Sequence, residues 1–138
     1  MGISPRIREF LVCLEEVLDA HSWPQLDREA MAATAGDDSA LVVLRHRGGG
    51  ARDVEVEVDD HRVVVRFPPE QVTFTSREEA LALIEMLGDG RVELRVRRGP
   101  LWTTMESYRD DLARPFRRTR MPWPALPPRT EHVRFGFA

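Results

Sequence analysis

Residues 76–98, SREEALALIEMLGDGRVELRVRR, change their hydrophobic period within one turn, and few local structures accommodate that. Ser76 and Glu79 have the S-x-x-E spacing of a capping box, in which a side chain satisfies an orphan N–H at a helix start. Ala80, Leu83, Ile84 and Leu87 then recur at i, i+3, i+4 and i+7, one stripe of a helix, with Glu78, Ala82 and Glu85 opposite. Gly88 stands where a helix ends in a left-handed residue, and Gly90 frees the following turn. Beyond it the period is two: Val92, Leu94 and Val96 alternate with Arg91, Glu93, Arg95 and Arg97. The spacing predicts a capped helix, a tight turn and an amphipathic strand, with Leu83 and Leu94 in a shared apolar layer.

Upstream, Ile3, Ile7, Phe10, Leu11, Leu14, Val17 and Leu18 share one side of a helix that Ser4 caps and Pro5 begins. Ser22 and Gln25 repeat the capping spacing, so a second short helix is expected over about 23–35, though its apolar side is mostly alanine. A three-strand meander follows at 41–47, 52–58 and 62–67. Gly48-Gly49-Gly50 is not a phosphate loop, because that role requires a helix afterwards and V-E-V-E-V follows. The second hairpin admits two registers. With Asp59-Asp60 as the loop, Val56 faces Val63; with Asp60-His61, Val58 faces Val63 and Glu55 meets Arg66. Pro68-Pro69 ends the third strand and leads through Phe74 to the capped helix.

Residues 101–113 have both helical and strand character. Leu101, Met105, Tyr108 and Leu112 have helical spacing, while Arg98-Gly99-Pro100 is a turn and Trp102, Thr103, Thr104 and Tyr108 are strand formers. The preferred reading is a hairpin through about Tyr108, with Val96 against Leu101 and Val92 against Met105, then a helical turn. Residues 115–138 hold five of the ten prolines and are expected to be extended, ending in the alternation Val133, Phe135, Phe137. The fold class is therefore α+β: N-terminal helix, antiparallel three-strand meander, capped helix, a further strand or β-hairpin, and an extended Pro/Arg-rich C-terminal tail. A single domain over 1–114 is expected, with the tail packed on it or on a partner.

Charge is unevenly distributed. All 20 Lys+Arg positions are arginine, as a GC-rich genome produces. Residues 1–90 carry nine of them against 18 acids (−9), and residues 91–138 carry 11 against five (+6). The segment R-P-F-R-R-T-R-M-P-W interleaves cations with aromatics. Its residues Arg114, Phe116, Arg117, Arg118, Arg120 and Trp123 are the candidate contacts for a partner or an anion. The same residues suit anchoring the tail to the acidic body.

Catalytic and metal motifs are missing. The four histidines are scattered, Cys13 is the sole cysteine and is expected to be buried and inert, and Asp59-Asp60-His61 is a solvated hairpin tip. Glu55 and Glu57 are the polar side of a strand. No nucleophile elbow or dinucleotide fingerprint is present, so no cofactor, metal or catalytic residue is assigned. No apolar run approaches the ~20 residues of a membrane span, and Arg6, Arg8 and Glu9 interrupt any leader, so a cytoplasmic protein is expected. The expected function is a small non-enzymatic protein-binding module, of bacterial immunity-protein or secretion-chaperone type, with a homodimer through the C-terminal strand as one mode of association. The alternatives are a nucleic-acid-associated protein using the arginine-rich tail and an enzyme with an unrecognised site.

Overall fold

The computed structural model describes residues 3–68, 70–109, 115 and 117–138, except the side chains of Ala51 and Arg109. It is an α+β chain with two helices and two antiparallel sheets among the described residues. Two compact units divide it: Met1–Asp89 with Phe137–Ala138, and Gly90–Gly136.

In the first unit, α1 (Pro5–His21) begins at Ser4, whose Oγ accepts from the Ile7 amide at 3.2 Å. It ends at Ser22, whose left-handed φ of 48° lets its N–H bond to the Leu18 carbonyl. Ile7, Phe10, Leu14 and Leu18 form its buried stripe. The second short helix expected over 23–35 does not form. Without an apolar face to bury, its alanines instead make the edge strand β1 (Ala32–Ala35) against β2 (Ser39–Leu44). Cys13, expected buried, is only half-buried.

The meander lies at the centre of a larger sheet. Between β3 (Val54–Asp59), β4 (Val63–Phe67) and α2 (Arg77–Gly88) runs an unforeseen strand, β5 (Glu70–Phe74), giving the order β1-β2-β3-β4-β5. Val42, Val56 and Val65 are register partners, as are Ala40, Val58 and Val63, and all six are buried on one face. Of the two hairpin registers, the one with Asp60-His61 at the tip is adopted: Val58 faces Val63 and Glu55 faces Arg66. Asp59 decides it, because its Oδ1 accepts from the amides of His61 and Arg62, each at 2.8 Å, and closes the turn. Those bonds, the His61 amide first, hold the Asp59 carboxyl below its ordinary pKa.

Helix α2 starts as expected: Ser76 Oγ accepts from the Glu79 amide at 3.3 Å, and the same hydroxyl donates to the Glu78 carboxylate at 3.2 Å. It lies against β4 and β5, so the layer Leu83 enters belongs to the first unit. Gly88 is not the left-handed cap; only Gly90, at φ 74°, has a positive φ at this turn. Gly88 serves close packing instead. A Cβ there would lie 2.2 Å from the Trp23 ring, whose Nε1 donates to Asp89 at 2.8 Å. The ring stacks on His21 with centroids 4.7 Å apart, and Phe137 lies 6.0 Å away.

The second unit is one sheet, ordered β8-β7-β6-β9 from β6 (Val92–Arg98), β7 (Thr103–Arg109), β8 (Arg117–Met121) and β9 (Arg129–Phe135). The hairpin reading of 101–109 is the one adopted, but with a longer loop than expected. Residues 99–102 form it, and Val96 faces Met105 rather than Leu101. The helical turn expected after Tyr108 falls outside the described residues.

Asp59→Ala removes two backbone bonds and should cost about 1–2 kcal/mol in a urea titration, while Asp59→Asn, which keeps an acceptor, should cost less. Because the native carboxyl pKa is lowered, its charge-dependent share of stability is present at neutral pH and lost as pH falls through that lowered value.

Candidate functional site

Alternation along the four strands of the second unit separates its sheet into two faces. Val92, Leu94, Val96, Met105 and Phe135 are buried on one. The other carries Glu93, Arg95, Arg97, Thr104, Glu106, Tyr108, Arg118 and Arg120, with Thr130, His132 and Arg134 from β9. Register partners share a face, so these side chains fall into rows that run across the strands.

The first row, nearest the β6–β7 loop, is Arg120, Thr104, Arg97 and Thr130. It contains donors and no acid. The second is Arg118, Glu106, Arg95 and His132, and the third pairs Tyr108, Glu93 and Arg134. Glu106 is 5% exposed and accepts from Tyr108 at 3.1 Å, with Arg97 Nε 3.5 Å from its other oxygen. Arg95 lies over the Tyr108 ring, 4.2 Å from its centroid. Glu93 gathers His132 at 2.6 Å, Arg95 at 3.3 Å and Arg134 at 3.6 Å. The His132 hydrogen bond, then the Arg95 contact, holds the Glu93 carboxyl below its usual range. On the opposite face Glu131 is lowered by Arg129 and then Arg98, at 2.9 and 3.3 Å.

The acid-free row forms part of a cleft of about 630 Å³ at the loop end of the sheet. Gly99, Pro100, Leu101 and Trp102 form one wall, and the chain near Pro128 forms another. Gly99 N–H donates to the Trp102 carbonyl, and the Ala125 amide donates back to the Gly99 carbonyl, both at 2.9 Å. Thr103 Oγ1 donates to the Trp123 carbonyl at 2.6 Å. These bonds tie the backbone of 123–125 to the loop, and Leu101, Trp102, Trp123 and Leu126 are all exposed. They are four of the five exposed large hydrophobic residues among those described. Arg120 lies over the Trp102 ring at 5.8 Å and has no acidic partner among the described residues.

No similar protein accounts for this surface. The chain matches no family model, no curated protein and no solved structure.

Of the candidate contacts read from sequence, Arg120 lines the cleft, Arg118 lies on the same face one row away, and Arg117 faces the other side. Trp123 borders the loop through its carbonyl, while Arg114 and Phe116 lie outside the described residues. The sequence reading missed Arg97, Thr104, Thr130, Leu101 and Trp102. The alternating pattern was the available signal, but a loop two residues too short set Arg97 opposite the turn instead of Thr104. Among the described residues no group of three His, Cys, Asp or Glu is placed to hold a metal ion, and no helix is long and apolar enough to cross a membrane. The Asp59 carboxylate at the hairpin tip is committed to backbone amides.

The lowered pKa of Glu93 gives the polar face a pH signature. Its native pKa lies below the unfolded one, so its stabilisation is complete at neutral pH and disappears as pH falls through the native value. Thermal unfolding of Glu93→Gln should therefore show a lower midpoint than the parent at neutral pH, the two curves converging in acid. Parallel curves across that range would contradict the assignment.

Proposed function

We propose that this chain is a non-enzymatic protein-binding module and that the cleft of the second unit is its contact surface. The observation that carries the reading is the exposure of Leu101 and Trp102 in the cleft wall beside an arginine row with no acid in it. Apolar anchors within a charged rim are the usual composition of an interface centre, with tryptophan and arginine as its commonest energetic contributors. Among the described residues β8 and β9 are the outer strands of their sheet, a position that suits a second means of association, including a homodimer through the C-terminal strand. An immunity-type neutraliser or a secretion chaperone in the cytoplasm is the kind of module this size and charge division suit.

A nucleic-acid reading has one specific observation in its favour. Arg120 over Trp102 resembles the cation and ring pairing that single-stranded nucleic acids stack against. Salt dependence separates the two readings, because phosphate neutralisation makes affinity fall steeply with ionic strength.

Co-expression of the full chain with the products of its neighbouring genes, followed by size-exclusion chromatography, tests the proposal. A stable complex that Trp102→Ala or Arg120→Glu weakens by about tenfold or more is expected, as for an interface anchor. A complex indifferent to both variants would remove the cleft from the interface. Steeply salt-dependent oligonucleotide binding without any protein complex would favour the nucleic-acid reading.

A further inference from the structure

One surface of the molecule specifies its ligand's chemistry. Resting on the protein-binding reading, we propose that the cleft takes an extended acidic segment of the partner. Its carboxylates would seat on the row Arg120, Thr104, Arg97 and Thr130, and a neighbouring apolar side chain would cover Leu101 and Trp102.

Charge complementarity carries the argument. Arg98 and Arg129 at the cleft already share the Glu131 carboxylate. Arg120 has no carboxylate among the described residues, and Arg97 has only Glu106, at 3.5 Å. Neither Thr104 nor Thr130 makes a side-chain hydrogen bond among the described residues, so each hydroxyl remains available between or beside the guanidinium groups. The row thus offers two planar forks and two hydroxyls, which match carboxylates in the bidentate geometry arginine favours. Arg97 and Arg120 lie on strands separated by one other, so their backbones are about 10 Å apart, and their long side chains can close on carboxylates two residues apart in an extended segment, about 7 Å.

The same geometry disfavours a nucleic-acid strand. Moving two residues along the strands, about 7 Å, brings Glu106 onto the face, and the next row brings Glu93. A phosphate backbone tracking the face would meet those carboxylates, whereas a short acidic segment confined to the first row meets none. The cleft wall also offers a single aromatic ring, Trp102, beside Pro100, Leu101 and Pro128, and not the succession of platforms that stacked bases require.

The test uses the full chain and an acidic dodecapeptide containing an Asp-Ser-Glu centre flanked by leucines, with an Asn-Ser-Gln twin as its neutral counterpart. Calorimetry should show the acidic peptide binding at least about tenfold more tightly than the twin, the loss expected when charged hydrogen bonds are removed. Arg120→Glu should weaken it by a similar factor or more, while Arg8→Glu, an equal charge change on an exposed residue of α1, should alter it less than about twofold. Amide shifts on titration should centre on residues 97–104 and 118–130. Equal losses in the two variants, or equal affinity for the twin, would overturn the carboxylate site. Shifts confined to residues 3–89 would overturn it too, yet leave the protein-binding reading standing. Oligonucleotide binding sensitive to Arg120→Glu, with no peptide binding, would overturn both. No binding of any probe would overturn the acidic-segment inference alone, the co-expression experiment still deciding the broader reading.

Discussion

The gap left by the missing side chain of Gly88 is the constraint on which the first unit depends. Trp23 fills it, and the ring is held there by Asp89 and by the stacked His21. One contact therefore fixes the end of α1 and the end of α2 together. The chain terminus joins them: the Phe137 amide donates to the Gly88 carbonyl at 2.8 Å, and the Phe137 carbonyl accepts from Gln25 at 2.7 Å. The chain thus leaves the first unit at Asp89 and re-enters it beside the same residue at Phe137, with the whole second sheet between. Closely spaced ends are what allow a compact unit to be inserted without disturbing its host.

Within the second sheet, two alternations produce the surface. The period of two along β6 and β7 sends valine, leucine and methionine to the buried face and arginine with glutamate to the other. The order β8-β7-β6-β9 then aligns residues far apart in sequence into rows. Acids occupy the second and third rows and leave the first to arginine and threonine. Among the described residues, Arg97 and Arg120 therefore stand in a row without an acid beside the exposed Leu101 and Trp102.

Much of the fold was legible because local chemistry and periodicity agreed. Ser4, Ser76 and the stripes of both helices were readable, as was the amphipathic strand that follows Gly90. Asp59 was visible as a turn residue, but the choice between two valine registers rests on its bonds to His61 and Arg62, which no pattern of valines discloses. The alanines of β1 and the polar run of β5 escaped because edge strands need only one ladder and little apolar area. Gly88 looked like a cap because glycine at a helix end usually serves backbone freedom; its contact with Trp23, 65 residues earlier, is tertiary. The cleft was harder still. Arg120 and Trp123 attracted notice as a linear segment, whereas Arg97, Thr104 and Thr130 become its neighbours only through strand register.

A double-mutant cycle between Gly88 and Trp23, followed by urea unfolding, tests the constraint most directly. In an ordinary helix position glycine to alanine stabilises by up to about 1 kcal/mol. With Trp23 present, Gly88→Ala should instead destabilise, by about 1–3 kcal/mol as overpacking does. In the Trp23→Ala background the same change should become neutral or stabilising, a coupling well above the error of such cycles. An equal cost of Gly88→Ala in both backgrounds would show that the indole does not occupy the glycine's gap, and the account of the first unit would fail.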